Sequence, residues 1–206
     1  MSKASELKAL EEEIARDASL PLYGAANLVF GEGNPDADVV FIGEAPGFHE
    51  DRLSRPFVGT AGKLLDKLIA EIGWKRADVY ITNIVKRRPP DNRDPLPEEI
   101  ALYSPYLSRQ IDILQPKAIV PLGRFAMNYF LPEAKITRDQ GKVFLRDGKR
   151  IIPMFHPAAA LRATAVLETL TESFKKLPKL VEGDVAPEPP PGAPKSDAPS
   201  PTQTLF

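Results

Sequence analysis

The chain has 206 residues, of which 43% are hydrophobic and 27% charged, and its formal net charge at pH 7 is −1. This composition is typical of a folded globular protein and excludes general disorder, collagen-like repeats and long coiled coils. The lack of cysteine excludes disulfides and thiolate chemistry, and two histidines alone argue against a metal site. No apolar run suits a membrane helix, and the polar start is unlike a signal peptide. We therefore expect a monomeric cytoplasmic protein without metal or cofactor.

Short β-rich runs alternate with amphipathic helical patterns along the chain. Apolar positions recur at helical spacing in residues 3–16, 64–72 and 98–114. Apolar runs typical of strands covered on both faces lie at residues 39–42, 79–82, 118–122 and 151–155. Residues 143–151 carry Asp-Gly between two β-rich arms and predict a hairpin. The alternation predicts an α/β fold, a three-layer α/β/α sandwich with a central, mainly parallel sheet of four strands.

The C-terminal end differs in composition from the rest of the chain. Seven of the 22 prolines lie between Pro187 and Pro201, among small and polar residues. Such a segment buries too little apolar surface to offset its ordering entropy, so residues 182–206 are predicted to be a disordered tail. Residues 1–181 are predicted to be a single domain. The tail carries a net charge of −3, which leaves +2 on the domain and permits a local basic groove.

Polar side chains follow three of the predicted strands. Glu44 comes after the first strand, Asn83 ends the second, and His156 comes after the last. Because the carboxyl ends of parallel strands meet at one edge of a sheet, we expect these side chains to converge there. Singly, each has a structural explanation, as a helix cap, an Asx turn or a buried hydrogen-bond donor. Their convergence beside the basic run at residues 86–88 favours a functional site.

Around these positions the sequence resembles the thermophile-type uracil-DNA glycosylases, known as family 4. The resemblance rests on short blocks that occur in the family's order and cover about residues 29–162. Three of the blocks are Gly43-Glu44-Ala45-Pro46-Gly47, Ile81-Thr82-Asn83-Ile84-Val85-Lys86 and Pro153-Met154-Phe155-His156-Pro157. The resemblance implies a monofunctional enzyme that flips uracil out of single- or double-stranded DNA and hydrolyses its N-glycosidic bond, leaving an abasic site.

The resemblance also implies a role for each residue at the strand ends. His156 would donate a hydrogen bond to the negative charge that develops at uracil O2. Glu44, directly or through a water, would stabilise the cation-like sugar. The amide of Asn83 would bind uracil O4 and N3–H, and Phe57 would stack on the base.

Further residues are expected to complete the uracil pocket and to contact DNA. Backbone amides near Ala45 and Phe48 would line the pocket, and Glu50 would exclude the 5-methyl group of thymine. Leu161 would insert into the minor groove as a wedge; if it does not, single strands would be favoured. The expected phosphate contacts are Lys86, Arg87, Arg88 and Arg162.

One departure from the family is large. Its members hold an iron–sulfur cluster on four cysteines, whose positions fall near Arg16, Ser19, Arg87 and Tyr103 in this sequence. Because this chain has no cysteine, we expect no cluster. Instead, packing or polar contacts that involve Arg16, Arg87 and Tyr103 are expected to tie the N-terminal helix to the body of the domain.

Alternatives remain open for the function and for the C-terminus. A rival enzyme would excise another deaminated base, such as hypoxanthine or xanthine. A rival of a different class would be a DNA- or lesion-binding protein that kept the fold without turnover. The terminal Gln203, Leu205 and Phe206 resemble peptides that dock to replication sliding clamps, with a spacing one residue too short. The other interpretation of these residues is a chain end without function.

Overall fold

The computed structural model describes residues 2–189 and Pro191, and within them six strands form one sheet. The strands are β1 at Glu32–Gly33, β2 at Val39–Gly43, β3 at Tyr80–Asn83, β4 at Ala118–Pro121, β5 at Phe144–Arg146 and β6 at Lys149–Ile151. Their order across the sheet is β1-β3-β2-β4-β6-β5. The four inner strands are parallel and the two edge strands are antiparallel to their neighbours. The predicted α/β class and mainly parallel sheet are confirmed.

The predicted number of four strands is wrong, because β1 and β5 extend the sheet at its two edges. A strand of two residues, such as β1, is too short to leave a clear alternation in the sequence. The predicted hairpin is confirmed as β5 and β6. Its second arm joins the parallel sheet, so the last inner strand begins before the predicted residue 151. An isolated parallel bridge between Leu122 and Met154 continues the pairing towards His156.

Helices cover both faces of the sheet within the described residues. They are α1 at Lys3–Arg16, α2 at Phe48–Leu53, α3 at Thr60–Glu71, α4 at Pro97–Leu114, α5 at Arg124–Phe130, α6 at Ile136–Asp139, α7 at Pro157–Ala160 and α8 at Thr164–Glu182. Successive side chains of a strand point to opposite faces. Val40 and Ile42 of β2 therefore pack in one cluster with α1 and α4, while Val39 and Phe41 pack in the other with α3 and α8.

A buried arginine–tyrosine pair attaches α1 to the body of the domain. Arg87 Nη1 donates to the Tyr103 hydroxyl at 3.1 Å, and Nη2 donates to the carbonyl of Ile14 in α1 at 3.4 Å. The Tyr103 hydroxyl donates in turn to the carbonyl of Pro21 at 2.8 Å. The expected participation of Arg16 is wrong, because its side chain is 78% exposed and forms an ion pair within its own helix.

The described part of the predicted tail contacts the domain. The N–H of Glu188 donates to the carbonyl of Val143 at 2.7 Å, and Arg150 Nη1 donates to the carbonyl of Val185 at 3.0 Å. Residues 183–189 therefore lie against the β5–β6 hairpin, and the boundary predicted at residue 181 is too early. The remaining tail, apart from Pro191, lies outside the described residues, as do Gln203, Leu205 and Phe206.

No helix within the described residues is both long enough and apolar enough to cross a membrane. The longest of them, α8, buries one face in the core through residues such as Leu170, Phe174 and Leu177. Its opposite face carries charged side chains such as Glu172 and Lys175. The helix is thus amphipathic, as expected for a layer that covers a sheet.

We expect Tyr103→Phe to lower the free energy of unfolding by about 1–3 kcal/mol, because it leaves a buried N–H of Arg87 without its acceptor. Arg16→Ala, the control at an exposed position, should change that free energy by no more than about 0.5 kcal/mol. Urea unfolding followed by circular dichroism measures both. Equal losses in the two variants would show that the buried pair does not anchor α1.

Candidate active site

A cavity of about 630 Å³ opens at the carboxyl ends of the parallel strands. Its walls come from the segments that follow β2, β3, β4 and β6, as expected for a ligand site in a sheet of this type. Residues predicted to act on the base or the sugar line it together, namely Glu44, Ala45, Glu50, Phe57, Asn83 and His156. The structure therefore brings side chains from distant parts of the sequence around one space.

Backbone hydrogen bonds fix the ends of β2 and β3 against each other. Across these strands Gly43 is the register partner of Asn83. Beyond that pair, the N–H of Ile84 donates to the carbonyl of Gly43 and the N–H of Val85 donates to the carbonyl of Glu44, both at 3.0 Å. The strand ends thus hold Glu44 beside Asn83.

The side-chain amide of Asn83 is free for a ligand. Asn83 is only 2% exposed, yet its side chain has no hydrogen-bond partner among the described residues and lines the cavity. Gly43 makes room for it, since a methyl group there would overlap Asn83 Oδ1 and lie 2.6 Å from Phe57 Cζ. Both the donor and the acceptor of the amide are therefore available on the cavity wall.

Phe57 is held in an uncommon backbone conformation by two neighbouring side chains. Its φ is +49°, in the left-handed region that non-glycine residues seldom adopt. Glu50 Oε1 accepts from the N–H groups of Val58 and Gly59 at 2.9 and 2.7 Å. Arg76 Nη1 donates to the carbonyl of Phe57 at 3.2 Å. These contacts fix the ring 5.6 Å from that of His156, with 30° between the two planes.

His156 presents a neutral imidazole with a defined tautomer. Its Nδ1 accepts a hydrogen bond from the N–H of Ala158 at 3.1 Å, as the cap of α7. An accepting Nδ1 carries no proton, so the proton of the neutral ring is on Nε2. Burial lowers the pKa of His156 to about 4, against a smaller opposing effect of Glu50. At neutral pH the ring is therefore an uncharged donor through Nε2.

The carboxyl group of Glu44 is partly buried and lies beside an ion pair. Burial raises the pKa of Glu44, the charge of Asp94 raises it further, and the charge of Arg124 lowers it. Asp94 and Arg124 form an ion pair with 2.6 Å between Oδ2 and Nη2, and both line the cavity. The Glu44 side chain has no hydrogen bond or ion pair with any described residue, so its oxygens are available to a ligand or a water.

Two of the four predicted phosphate contacts are wrong for this fold. Lys86 is fully buried, and its Nζ donates to Thr82 Oγ1 and to the carbonyl of Asn83, both at 2.7 Å, and to Gln110 Oε1 at 2.6 Å. Burial also lowers the pKa of Lys86 well below its ordinary value. Arg87 is 4% exposed, and its guanidinium group forms hydrogen bonds in the interior of the domain, as described above. Both side chains therefore point into the domain, where Lys86 stabilises the end of β3 and Arg87 attaches α1.

The other predicted DNA contacts lie at the surface. Arg162 is exposed and lines the cavity, and Leu161 beside it is 48% exposed. Arg88 is half-buried, and its Nε donates to Asn92 Oδ1 at 2.7 Å. The side chain of Phe48 lies outside the cavity lining and is 46% exposed, so only its backbone remains as a candidate for base binding.

Three charged residues that were not predicted from the sequence also shape the site. Arg76 supports the Phe57 loop by donating to two of its carbonyls, and its partners are too distant in sequence to leave a local signal. Asp94 and Arg124 face Glu44 across the cavity. Arg124 comes shortly after the end of β4. The strand-end rule that identified Asn83 therefore also identifies Arg124 when it is applied to β4.

Comparison with known proteins shows the family of the chain. The model of the family described as "Uracil DNA glycosylase superfamily" matches residues 30–178. The chain belongs to the uracil-DNA glycosylase superfamily. It is 45% identical to the type-4 uracil-DNA glycosylase of Sulfurisphaera tokodaii over 185 residues, and the aligned region covers 84% of each chain. It is 47% identical to that of Archaeoglobus fulgidus, over 75% of this chain and 82% of the relative. It is 45% identical to that of Thermotoga maritima, over 76% and 83%.

The residues at the four cluster positions do not fit an iron–sulfur cluster. A cluster of this kind needs thiolate ligands, and the chain contains no cysteine. Arg87 and Tyr103 are hydrogen-bonded to each other in the interior, whereas Arg16 is at the surface. Ser19 is also exposed, and its backbone N–H donates to Asp17 Oδ1 at 3.0 Å. In this member of the superfamily, Arg87 and Tyr103 stand at two of these positions, and their hydrogen bonds connect α4 to α1.

We expect Asp94→Asn to lower the pKa of Glu44 and Arg124→Gln to raise it, because the first removes a negative charge and the second a positive one. Titration of the ¹³C carboxyl resonance of Glu44 measures both shifts. Asp38→Asn breaks an ion pair with Lys117 of similar exposure outside the cavity and should leave the titration unchanged. Shifts of the same sign in the two cavity variants would contradict the arrangement.

Proposed function

We propose that the chain excises uracil from DNA by hydrolysing its N-glycosidic bond and leaves an abasic site. The observation that carries this proposal is the meeting of three groups around one cavity, the Glu44 carboxylate, the uncharged Nε2–H donor of His156 and the unpartnered amide of Asn83. The relatives named above are type-4 uracil-DNA glycosylases, which supports the same reaction. The volume is within the range of about 300–1,000 Å³ common for small-molecule sites.

Base recognition is assigned to Asn83 and Phe57. Uracil presents an acceptor at O4 and a donor at N3–H, so one carboxamide satisfies both with its N–H and its carbonyl. Cytosine has the reverse pattern and would require the amide to be flipped. Phe57 is 5% exposed and lines the cavity, where its ring offers an apolar face for stacking.

Departure of the base is assigned to His156. As the glycosidic bond breaks, the electron pair goes to uracil and negative charge develops at O2. A neutral Nε2–H donates a hydrogen bond to that oxygen without first having to lose or gain a proton. Because burial lowers the pKa of His156 to about 4, the ring stays uncharged through the physiological range.

Stabilisation of the sugar is assigned to Glu44. The deoxyribose becomes cation-like in the transition state, and a nearby carboxylate lowers its energy more in a partly dry cavity than in bulk water. The same carboxylate holds the water that attacks the anomeric carbon. This role needs the ionised form of Glu44. Because the pKa of Glu44 is raised, acidification protonates it at a higher pH than it protonates an ordinary glutamate.

Thymine exclusion and DNA contact are assigned to residues around the cavity. Glu50 lines the cavity and holds the backbone that carries Phe57, so we assign it the exclusion of the thymine methyl group by keeping that wall closed. Arg88 and Arg162 remain as phosphate contacts, and Leu161 as the wedge. A strand-cleaving lyase step is not part of the proposal, since no lysine among the described residues lines the cavity. The monomeric state, the cytoplasmic location and clamp binding stay predictions.

We expect the purified chain to convert uracil-containing oligonucleotides into alkali-labile products, measured on denaturing gels with single strands, U·G duplexes and U·A duplexes. His156→Ala and Glu44→Ala should each lower kcat/KM by about 10²–10³-fold, the cost of losing one transition-state contact. Asp38→Asn, outside the cavity, should retain the wild-type value.

Two outcomes would overturn the proposal. Binding of uracil-containing DNA without any cleavage would identify a DNA-binding protein of this fold. Cleavage at hypoxanthine or xanthine but not at uracil would identify a glycosylase for another deaminated base.

A further inference from the structure

An exposed aromatic ring lies beside the cavity with arginine side chains around it. Phe48 begins α2 directly after Gly47, a cavity-lining residue, and is 46% exposed. The guanidinium carbons of Arg52 and Arg88 lie 5.7 and 5.2 Å from the centre of its ring. The exposed ring of His49 meets it edge-on, with 5.5 Å between centres. We call Phe48, Arg52 and Arg88 the aromatic–arginine patch.

The patch is not explained by the folding of the helix that carries it. None of the residues of α2 is buried, so Phe48 does not anchor the helix in either core cluster. Phe48 is also outside the cavity lining, so its ring is not part of the uracil pocket. An exposed aromatic ring outside the core, with two guanidinium groups over it, is available for contact with another molecule.

The patch carries positive charge that the described residues do not neutralise. Neither Arg52 nor Arg88 forms an ion pair within residues 2–189, and Arg88 uses only its Nε, in the bond to Asn92. The two acidic residues of α2 are engaged with backbone N–H groups, Glu50 with those of Val58 and Gly59, and Asp51 with that of Asn27.

An exposed ring with two guanidinium groups over it matches one chemical partner closely. Unpaired nucleobases stack on aromatic faces, and guanidinium groups contact both base faces and phosphates. A base inside a duplex is already stacked and paired, so it is not free for the ring. The patch is therefore suited to a base in a single strand.

We propose that the aromatic–arginine patch binds a nucleotide next to the flipped uracil in single-stranded DNA, with its base on Phe48 and its phosphate at Arg52 or Arg88. The proposal rests on the proposed function, because it takes the cavity as the site of the uracil. Position supports it, since Gly47 and Pro89 line the cavity and are the chain neighbours of Phe48 and Arg88. The patch gives the enzyme a preference for single strands and frayed sites.

The stacking part is tested by fluorescence anisotropy with single strands that hold one uracil on a 2′-fluoro sugar, which resists hydrolysis. The two flanking nucleotides are either normal or abasic. Wild-type protein should bind the strand with abasic flanks about tenfold more weakly, within the range for loss of one stacked base. Phe48→Ala should bind the normal strand about tenfold more weakly than the wild type does, and abasic flanks should weaken its binding little further. Phe48→Trp should keep the wild-type pattern.

Leu145→Ala is the matched control, because Leu145 is 49% exposed on the edge strand β5 and lies outside the cavity lining. It should bind both strands as the wild type does. Wild-type binding that ignores the flanking bases would overturn the proposal. So would a Phe48→Ala variant that melts at a lower temperature but binds both strands normally, since the ring would then serve packing alone.

The charge part is tested by the salt dependence of the same affinities. Arg52→Gln or Arg88→Gln should reduce the slope of log K against log salt concentration by about 0.7, the value for one phosphate contact on a single strand. Arg16→Gln, at an exposed arginine in α1, should leave the slope unchanged. Slopes unchanged in both patch variants would overturn the phosphate contact. These binding measurements need no turnover, so a failure of uracil excision is seen separately in the gel assay.

Discussion

Burial of two side chains in one cavity sets their protonation states. Burial disfavours charged forms, so it raises the pKa of Glu44 and lowers the pKa of His156. The two groups respond in opposite directions because one is charged when it loses a proton and the other when it gains one. The same low polarity strengthens the effect of a carboxylate on a cation-like sugar and of an N–H donor on a developing anion. Burial thus shifts the pKa values of both residues.

The walls of the cavity are fixed by polar side chains that lie outside its lining. The fully buried Lys86 bonds to Thr82, to Gln110 and to the carbonyl of Asn83, which supports the end of β3. Arg76 supports the loop that carries Phe57. The pair of Arg87 and Tyr103 attaches α1 where relatives in the superfamily are expected to hold a metal cluster. Charged side chains therefore build the frame, whereas the side chains of Glu44 and Asn83 and the Nε2 of His156 have no hydrogen-bond partner in the described part of the chain.

The sequence predicted the parts of the fold that have strong local patterns. The apolar runs at residues 39–42, 79–82 and 151–155 and the rule that ligands bind at strand ends led to Glu44, Asn83 and His156. The edge strand β1 was not predicted because a strand of two residues lacks a pattern, and β5 was predicted as a hairpin arm but not as a strand of the sheet. Lys86 and Arg87 were assigned to the surface because a basic run is usually solvated, whereas here partners from α1 and α4 draw both side chains inward. Such partners are distant in sequence, and only the folded structure shows them.

The central claim is that His156 faces the cavity as a neutral imidazole protonated at Nε2. Long-range ¹H–¹⁵N correlation spectra of the histidine side chains, recorded across a pH titration, test it directly. The account predicts an Nε2–H tautomer at neutral pH and a titration midpoint of about 4. A ring that is doubly protonated at neutral pH, or that carries its proton on Nδ1, would contradict it.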